Sequence, residues 1–365
     1  MKVAFFLGGL RRGGAESLVY DVCRKRDAAP FDLCCIYRKD DDFSEAFKAA
    51  GAELVQVKRT GSIFRYMRDL RKAVKAHGVD VVHAQTASNA LVSILAFLFT
   101  RVLVVTTFHG FAFSHARTWS RDFVYAGSKR IVCVSEYQKK HYVNKWRLPE
   151  DNKLRVVYNG IDFTKLDHPQ PDPARPVQLD GKAFNMVMVG SFIEGRAQYF
   201  VCEALRRLSE TEVPFQMYFV GRRDQAEPER YDRCVAFCEA NGLADRVHFL
   251  GSRTDVPWLL RQMDLFFYAT DHDTFGIAVI EAMASGLPVL VNDWAVMKEI
   301  TDDGRWATLF KTGDVDDCVA KLTSLAARPA ERRMLAAAAE GFVRERYSIE
   351  NHITALSKVY EEAAL

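Results

Sequence analysis

The first part of the chain alternates short apolar runs with amphipathic segments. Runs rich in Val, Ile and aromatic residues predict buried strands at 3–7, 33–37, 54–57, 79–84, 102–108, 131–135 and 154–158. Between several of them, as at 15–25 and 63–77, apolar residues recur with the helical period. Strands that alternate with helices at this spacing predict a parallel sheet covered on both faces.

The same alternation restarts after a proline-rich break. Four prolines fall within residues 167–176, where neither a helix nor a central strand can continue. We interpret this segment as a linker between domains 1–166 and 177–347. Strands of the second domain are predicted at 185–189, 216–220, 247–250, 265–268 and 288–291. Two doubly wound sheets bind ligands beyond the carboxyl ends of their strands, although periodicity does not name the ligand.

Composition narrows the class of protein. None of the eight cysteines forms a CxxC pair and no histidine cluster accompanies them, so we expect reduced, mostly buried thiols of a cytoplasmic protein. The apolar run at 3–7 is short and charges follow it, which favours a strand over a signal peptide. The apolar stretch 90–99 is too short to cross a bilayer.

Charge is distributed unevenly along the chain. Residues 1–165 hold 28 Lys and Arg against 16 Asp and Glu, whereas residues 166–365 hold 22 against 31. Such asymmetry concerns partners rather than fold. Six cations punctuate the amphipathic segment around 63–77: Arg59, Arg65, Arg68, Arg71, Lys72 and Lys75. Residues 111–121 mix aromatic and basic side chains. Both patches fit an anionic membrane surface, and an ordinary solvated helix face is the alternative. No nucleic-acid-binding module is present.

The segment 268–289 has a pattern suited to a phosphate group. An apolar strand ends near Tyr268, a polar turn follows, and a helix is predicted to begin near Gly276. The first turn of such a helix offers N–H groups that have no partner within the helix, and these attract anions. Asp273 lies at the helix entry, and Glu281 is expected about two turns along.

This segment resembles the signature of retaining glycosyltransferase family 4, in which two acids with this spacing precede Ala-Met-Ala-x-Gly-x-Pro-Val. The resemblance extends over most of the chain. It implies the α/β GT-B fold, in which two doubly wound, Rossmann-like domains face each other across a cleft. It also implies that Glu281 binds the ribose of a nucleotide and that the helix start holds the diphosphate, through Thr274, Phe275, Gly276 and Ile277. The first acid of the family is usually Glu, so Asp273 is one methylene shorter.

A metal-binding alternative exists for the same segment. Asp271-His-Asp273 forms an Asp-x-Asp, which holds a metal ion in the other large glycosyltransferase fold. Because Asp273 already fills the acid position of the helix motif, we expect metal-independent binding, with no cofactor and with cationic side chains at the diphosphate. Family members commonly place an Arg, and then a Lys five residues later, after the first strand of this domain. Here Ser191 replaces the Arg and Arg196 replaces the Lys. Arg binds phosphate bidentately, whereas Ser191 brings no charge.

The first domain carries further matches. The family's GGAE loop, which approaches the donor phosphate and the acceptor, corresponds to Gly13, Gly14, Ala15 and Glu16. His109 ends a buried strand, as does the family's His near the donor sugar, and a purely structural His is the alternative. We expect His83 to be structural. In the second domain, Arg253 lies in the loop that meets the base, and Glu299 matches another acid near the donor. The last helix, within 348–365, is expected to pack on the first domain.

These matches lead to one functional hypothesis and two alternatives. We expect a retaining transferase that moves a sugar from a nucleotide-diphosphate donor, UDP before GDP, to a saccharide or lipid-linked acceptor in surface-glycan assembly. Arg196, Asp273 and His109 are the expected catalytic residues, in a mechanism in which the departing phosphate helps to accept the acceptor's proton. A nucleotide-sugar epimerase and a non-catalytic sugar-nucleotide-binding subunit remain the alternatives.

Overall fold

The computed structural model describes residues 1–111 and 118–365. Its strands are β1 (Lys2–Gly9), β2 (Asp32–Lys39), β3 (Leu54–Gln56), β4 (Val81–Ala84), β5 (Leu103–Phe108), β6 (Arg130–Cys133), β7 (Leu154–Val156), β8 (Phe184–Val189), β9 (Phe215–Val220), β10 (Val247–Gly251), β11 (Leu265–Tyr268), β12 (Val289–Asn292) and β13 (Thr308–Phe310). The predicted strands are all present, and β13 was not predicted.

Helices connect these strands. They are α1 (Gly14–Arg24), α2 (Ser44–Ala49), α3 (Ile63–Ala76), α4 (Ala87–Phe97), α5 (Thr118–Gly127), α6 (Glu136–Trp146), α7 (Thr164–Asp167), α8 (Gln198–Leu208), α9 (Pro228–Ala240), α10 (Val256–Gln262), α11 (Ile277–Ala284), α12 (Ala295–Ile300), α13 (Val315–Ala327), α14 (Pro329–Arg346) and α15 (Ile349–Ala364). A short 3₁₀ turn covers Arg26–Ala28.

The chain divides into two compact units. Unit 1 comprises Met1–Ile161 and Tyr347–Leu365, and unit 2 comprises Asp162–Arg346. The chain therefore passes from unit 1 into unit 2 just ahead of the proline-rich segment 167–176. That segment belongs to unit 2. There the Asp172 amide donates to Asp255 and the Arg175 guanidinium donates to the Ser252 carbonyl. Proline ends helices and strands, but here the segment stays bonded to one unit.

Unit 1 is built on a parallel sheet in the order β3-β2-β1-β4-β5-β6-β7. Helices α3 to α6 cover one face, with Leu70, Ile94 and Tyr142 in that core. Helices α1, α2 and α15 cover the other face, with Val22 and Leu356 among the buried residues. The strand order reverses between β1 and β4, a position at which doubly wound sheets place their ligands.

The start of helix α15 packs closely against Gly160 in unit 1. A Cβ atom on Gly160 would lie 2.7 Å from the Ile349 Cα and 2.7 Å from the His352 Cβ. Real Cβ atoms do not approach so closely, so only glycine permits this contact. The expected packing of the last helix is what the structure shows.

Unit 2 has its own parallel sheet, in the order β10-β9-β8-β11-β12-β13. The strands read as continuous apolar runs because helices cover the sheet on both faces. The order reverses between β8 and β11, so the loops after these two strands are the natural place for a ligand. All eight cysteines, shared between the two units, are buried free thiols. No helix in the described ranges has the length and apolar character to cross a membrane.

Candidate active site

The helix start predicted to bind phosphate lies at the reversal point of unit 2. Helix α11 begins at Ile277, and its N-cap Gly276 has a left-handed conformation with φ +100°. This positive φ favours glycine, and a Cβ atom there would also lie 2.8 Å from Cε at the flexible end of Met297. No side chain caps the helix at this position. The Val279 amide donates to the Gly276 carbonyl at 3.0 Å, so the Ile277 and Ala278 amides ahead of it are the groups of the first turn that could meet an anion.

The side of α11 that carries Glu281 is the more open side. Ile277, Ala278 and Glu281 are half-buried, whereas the other residues of the helix are buried. Glu281 is the fifth residue of α11, so it lies just over one turn from the helix start, whereas two turns were expected. The helix begins directly after Gly276, as predicted, so the error lies in the expected position of Glu281 along it. Glu281 and Ile277 share one face at this spacing.

Asp273 and Arg196 are in direct contact. The Arg196 guanidinium forms an ion pair with Asp273 Oδ1, and the Tyr268 hydroxyl donates to Asp273 Oδ2 at 2.6 Å. The Arg196 guanidinium carbon also lies 5.6 Å from the centre of the Tyr268 ring. Burial raises the pKa of Tyr268, and the nearby Arg196 charge offsets part of that rise. The predicted cation and the predicted first acid therefore act as one unit.

Backbone contacts fix the loop that carries Arg196. Residues Arg196 and Thr270 form an antiparallel bridge, and the Ala197 amide donates to the Ala269 carbonyl at 3.1 Å. Ser191, the residue that replaces the family's Arg, is half-buried after β8, and its carbonyl accepts from Gln198 at 3.1 Å. The loops after β8 and β11 are thus joined, as the sheet order requires.

The remaining predicted residues of unit 2 lie near the start of α11, on α12, and in the loop predicted to meet the nucleotide base. Thr274 and Phe275 are buried and lead into α11, while Glu299 lies half-buried on α12. Arg253 is held bidentately by Asp255 at 2.8 Å, and only 3% of its side chain is exposed. Arg253 therefore braces its loop, and its contact with a base stays a prediction.

In unit 1, the predicted His109 lies at the end of β5 among other buried polar groups. Its Nε2 atom is 2.7 Å from Gln85 Oε1 at the end of β4. Burial lowers the pKa of His109 to about 4, with a smaller effect from His352. His83 uses both ring nitrogens, on Tyr360 and Thr107, each at 2.6 Å. This pattern agrees with a structural His83.

The glycine loop of unit 1 leads directly into α1. Gly13 is the extended N-cap of α1, and Gly14 is the first residue of that helix. A Cβ atom on Gly13 would lie 2.7 Å from Glu16 Oε2. The start of α1 follows β1, the strand at which the sheet order of unit 1 reverses.

A small, mainly apolar cavity in unit 1 lies beside the predicted His109. Gln85, Asn159 and His352 contribute the polar part of its lining, and Phe5 and Leu356 are among its apolar residues. Asn159 Oδ1 is buried without a hydrogen-bond partner. The sequence feature that could have indicated this cavity is His352, a polar residue on the apolar stripe of α15. Burial lowers its pKa to about 4, partly offset by its hydrogen bond to the Tyr158 carbonyl.

Metal binding has little support in this arrangement. Both carboxylate oxygens of Asp273 already have partners in Arg196 and Tyr268. Across residues 1–111 and 118–365, no group of three or more His, Cys, Asp or Glu side chains is placed to hold a metal ion. The expectation of metal-independent binding stays a prediction. Of the basic and aromatic patch at 111–121, residues 112–117 lie outside the described residues.

Comparisons with known proteins match each half of the chain to one family model. Residues 12–165 match Glycosyltransferase Family 4, and residues 183–328 match Glycosyl transferases group 1. A Bacillus subtilis (strain 168) protein named as a glycosyltransferase, EpsF, is 26% identical over 321 residues, which cover 80% of this chain and 79% of EpsF.

Two further similarities extend the comparison. The Escherichia coli UDP-Gal:alpha-D-GlcNAc-diphosphoundecaprenol alpha-1,3-galactosyltransferase is 24% identical over 243 residues, or 61% of this chain and 60% of the relative. Among solved structures, HepE from Anabaena in complex with UDP-glucose superposes with a TM-score of 0.85 at 18% identity and covers 99% of both chains.

Proposed function

Since this chain belongs to the group 1 glycosyltransferases, with a family 4 amino-terminal half, we propose that it transfers a sugar from a UDP-sugar to a saccharide or lipid-linked saccharide. One observation carries the donor assignment. The start of α11, which no side chain caps, follows Asp273 after a short loop. Asp273 forms an ion pair with Arg196. Glu281 lies on the more open side of α11. These groups suit a diphosphate and a ribose.

The proposed chemistry is transfer with retention of the anomeric configuration and without a metal ion. The start of α11 and Arg196 stabilise the negative charge that develops on the leaving diphosphate. The departing phosphate helps to accept the proton of the attacking hydroxyl. Asp273 keeps Arg196 in place through its ion pair, which limits the reorganisation needed when the donor binds.

The acceptor proposal rests on the named relatives. The Escherichia coli relative is named for transfer from UDP-Gal to a sugar on diphosphoundecaprenol, a lipid carrier. For this chain, a lipid-linked acceptor and a place in surface-polysaccharide assembly are the corresponding proposals.

Nucleotide binding is the first measurement. UDP, GDP, ADP, CMP and their sugar conjugates are screened by thermal shift, with Mg²⁺ and with EDTA. A ligand that binds only the folded protein stabilises it by about 2.7 kcal/mol at one hundred times its Kd. We expect UDP compounds to raise the melting temperature equally with and without metal. Glu281→Ala is expected to abolish the shift, and Glu239→Gln, an exposed acid on α9, to leave it unchanged.

The outcomes separate the candidate functions. Transfer to an acceptor, with the anomer assigned by proton NMR, supports a retaining transferase. A new nucleotide sugar formed without acceptor indicates an epimerase. Binding without turnover indicates a non-catalytic subunit. The absence of any shift with every nucleotide contradicts the proposed site.

We also propose that unit 1 binds an anionic membrane surface through α3 and the end of α4. Arg65, Arg68, Lys72 and Lys75 are exposed on α3, and Arg71 donates to the Ala96 carbonyl near the end of α4. At that end Leu95, Leu98 and Phe99 are exposed, Phe99 almost completely. Apolar side chains beside a row of cations fit the boundary between lipid headgroups and acyl chains.

Vesicle sedimentation tests this surface. The full chain is mixed with phosphatidylcholine vesicles that contain or lack phosphatidylglycerol. Each basic residue near an anionic surface contributes about 1 kcal/mol, so Arg68→Gln/Lys72→Gln/Lys75→Gln should weaken binding more than tenfold. Phe99→Ser should weaken it as well. Met334→Ser, an exposed apolar residue of unit 2, is the control. Equal binding of all variants, or binding that resists high salt, contradicts the proposal.

A further inference from the structure

Three polar side chains of unit 1 lie close together near the carboxyl ends of β2 and β3. Arg38 is near the end of β2, Arg59 follows β3, and Tyr66 lies in the first turn of α3. Burial raises the pKa of Tyr66 to about 12, and the charges of Arg38 and Arg59 offset part of that rise. Both guanidinium groups therefore lie within electrostatic reach of the Tyr66 hydroxyl.

The strand pattern explains why the two arginines reach Tyr66. Ile36 belongs to the core that α3 to α6 cover, and side chains two residues apart on a strand share a face, so Arg38 lies on that face. Val57 belongs to the same core and stands two residues before Arg59. Tyr66 is itself part of this core and is only 1% exposed.

None of these three side chains has a hydrogen bond or an ion pair within residues 1–111 and 118–365. Arg38 Nε and the Tyr66 hydroxyl are buried without a hydrogen-bond partner. Arg59 is exposed and forms no ion pair in the same ranges. A buried polar group without a partner is unfavourable in a folded protein, so its presence calls for a further reason.

Neighbouring groups leave the two positive charges of this cluster without an ion pair. Three acids at 40–42 follow Arg38 in sequence, but their carboxylates accept hydrogen bonds within their own loop or from the loop before α1. Gly8 of β1 leaves room for the guanidinium, because a Cβ atom there would lie 3.3 Å from Arg38 Nη2. The cluster is therefore suited to an anion.

We propose that Arg38, Arg59 and Tyr66 bind a phosphate group carried by the acceptor. A guanidinium group binds phosphate oxygens through two parallel hydrogen bonds, and a phenol hydroxyl adds a neutral donor. Half-buried Arg38 and exposed Arg59 receive the anion from solvent, and a small movement of Arg38 opens the Tyr66 hydroxyl to it. This inference rests on the proposed transferase function and narrows its acceptor to the phosphorylated, lipid-linked class.

The position of the cluster on α3 favours a phosphate on a lipid over a free phosphate. Phe64 and Arg65 are exposed on the residues directly before Tyr66, Phe64 by 75%. The exposed side of the same helix carries the cations proposed to meet an anionic membrane. A phosphate at the surface of that membrane would lie near the start of α3.

Isothermal titration calorimetry with geranyl diphosphate, a short isoprenoid diphosphate, tests the site in the full chain. Excess UDP is present to fill the donor site. Arg38→Gln removes a charged hydrogen bond but retains a polar side chain, so we expect at least roughly tenfold weaker binding. Arg59→Gln, at an exposed position, should weaken binding roughly threefold. Arg65→Gln is the matched control, because it removes the same charge from the exposed residue beside Tyr66.

Tyr66→Phe separates ligand binding from folding. Because the hydroxyl has no hydrogen-bond partner in the described ranges, its removal should leave the melting temperature unchanged or raise it. The affinity for geranyl diphosphate should fall roughly threefold, since one neutral hydrogen bond is lost. A lower melting temperature with unchanged affinity would assign the hydroxyl to the fold and overturn its part in the site.

The remaining outcomes decide the ligand. The absence of geranyl diphosphate binding, or equal weakening by Arg38→Gln and Arg65→Gln, overturns the proposal. Inorganic diphosphate that binds as tightly as the geranyl ester overturns the assignment to an acceptor, and geraniol that binds as tightly overturns the assignment to a phosphate. If UDP itself does not bind, the proposed donor site fails, and titrations of Arg38→Gln without UDP still decide the phosphate site.

Discussion

Asp273 shows how an acid at the entry to a helix can hold a neighbouring cation. Both of its carboxylate oxygens have partners, in Arg196 and Tyr268. A carboxylate that accepts a guanidinium restrains its long side chain and reduces the entropy lost on ligand binding. Because Ser191 carries no charge, Arg196 is the one cation predicted at the diphosphate, and its restraint matters more for donor binding.

Gly276 is the residue for which the structure makes the sharpest stability prediction. Gly276→Ala must adopt φ +100° and place a methyl group 2.8 Å from Met297 Cε. The left-handed conformation costs about 1 to 2 kcal/mol, and the clash adds to it. Gly242→Ala isolates the first cost, because Gly242 also has a positive φ, +68°, but faces open space.

Urea unfolding and UDP titration check this prediction together. We expect Gly276→Ala to lower the free energy of unfolding more than Gly242→Ala does. It should also weaken UDP binding, because the start of α11 must shift. Equal losses for the two variants would mean that Met297 simply moves aside.

At the scale of elements, α15 links the end of the chain to the core of unit 1. Its apolar residues complete one core of unit 1, and His352 on the same stripe donates from Nδ1 to the Tyr158 carbonyl at 2.7 Å. The partner strands and α15 are separated by the whole of unit 2 in sequence. Amphipathic periodicity located the helix, but it could not specify which sheet the helix covers.

The buried His352 makes the stability of unit 1 sensitive to acid. Its pKa is about 4 in the folded chain, against about 6.5 when unfolded. The unfolded state therefore binds more protons between these values, and the free energy of unfolding falls as the pH drops from 6.5 to 4. One such group contributes up to about 1.4 kcal/mol per pH unit.

His352→Gln tests this dependence. Glutamine can still donate to the Tyr158 carbonyl but cannot take up a proton. Urea unfolding at intervals from pH 7.5 to 4.5 should show a shallower loss of stability for the variant than for the unaltered chain. Parallel curves would assign the acid sensitivity to other groups.

Some elements were harder to predict from sequence patterns than others. Apolar runs predicted β1 to β12 because buried parallel strands require them. Strand β13, Thr308–Phe310, was not predicted, and its length alone does not explain this, because β3 and β7 are equally short and were predicted. Helix α11 begins at Ile277 because Gly276 caps it, and each residue by which a helix start shifts moves Glu281 by about a quarter of a turn relative to that start.

For the whole molecule, the sequence indicated the fold better than it indicated which side chains pair with the candidate site residues. The pairing of Arg196 with Asp273 joins two loops that are far apart in sequence but lie beside neighbouring strands. Gln85 and His352 carried no motif, so only the fold could bring them to the cavity that Asn159 also lines. The prolines at 167–176 lie close to the change of domain, but the hydrogen bonds of the Asp172 amide and the Arg175 guanidinium place them in unit 2.

The return of α15 to unit 1 has a consequence during synthesis. Residues 162–346 must be translated after most of unit 1 and before Tyr347–Leu365. At 5 to 20 residues per second, that interval lasts roughly 10 to 40 s. Throughout it, the sheet face that α15 later covers has no partner, and such exposed apolar surface favours aggregation. The nascent chain therefore has a defined period in which a chaperone that binds apolar segments would protect it, and that period ends when α15 emerges from the ribosome.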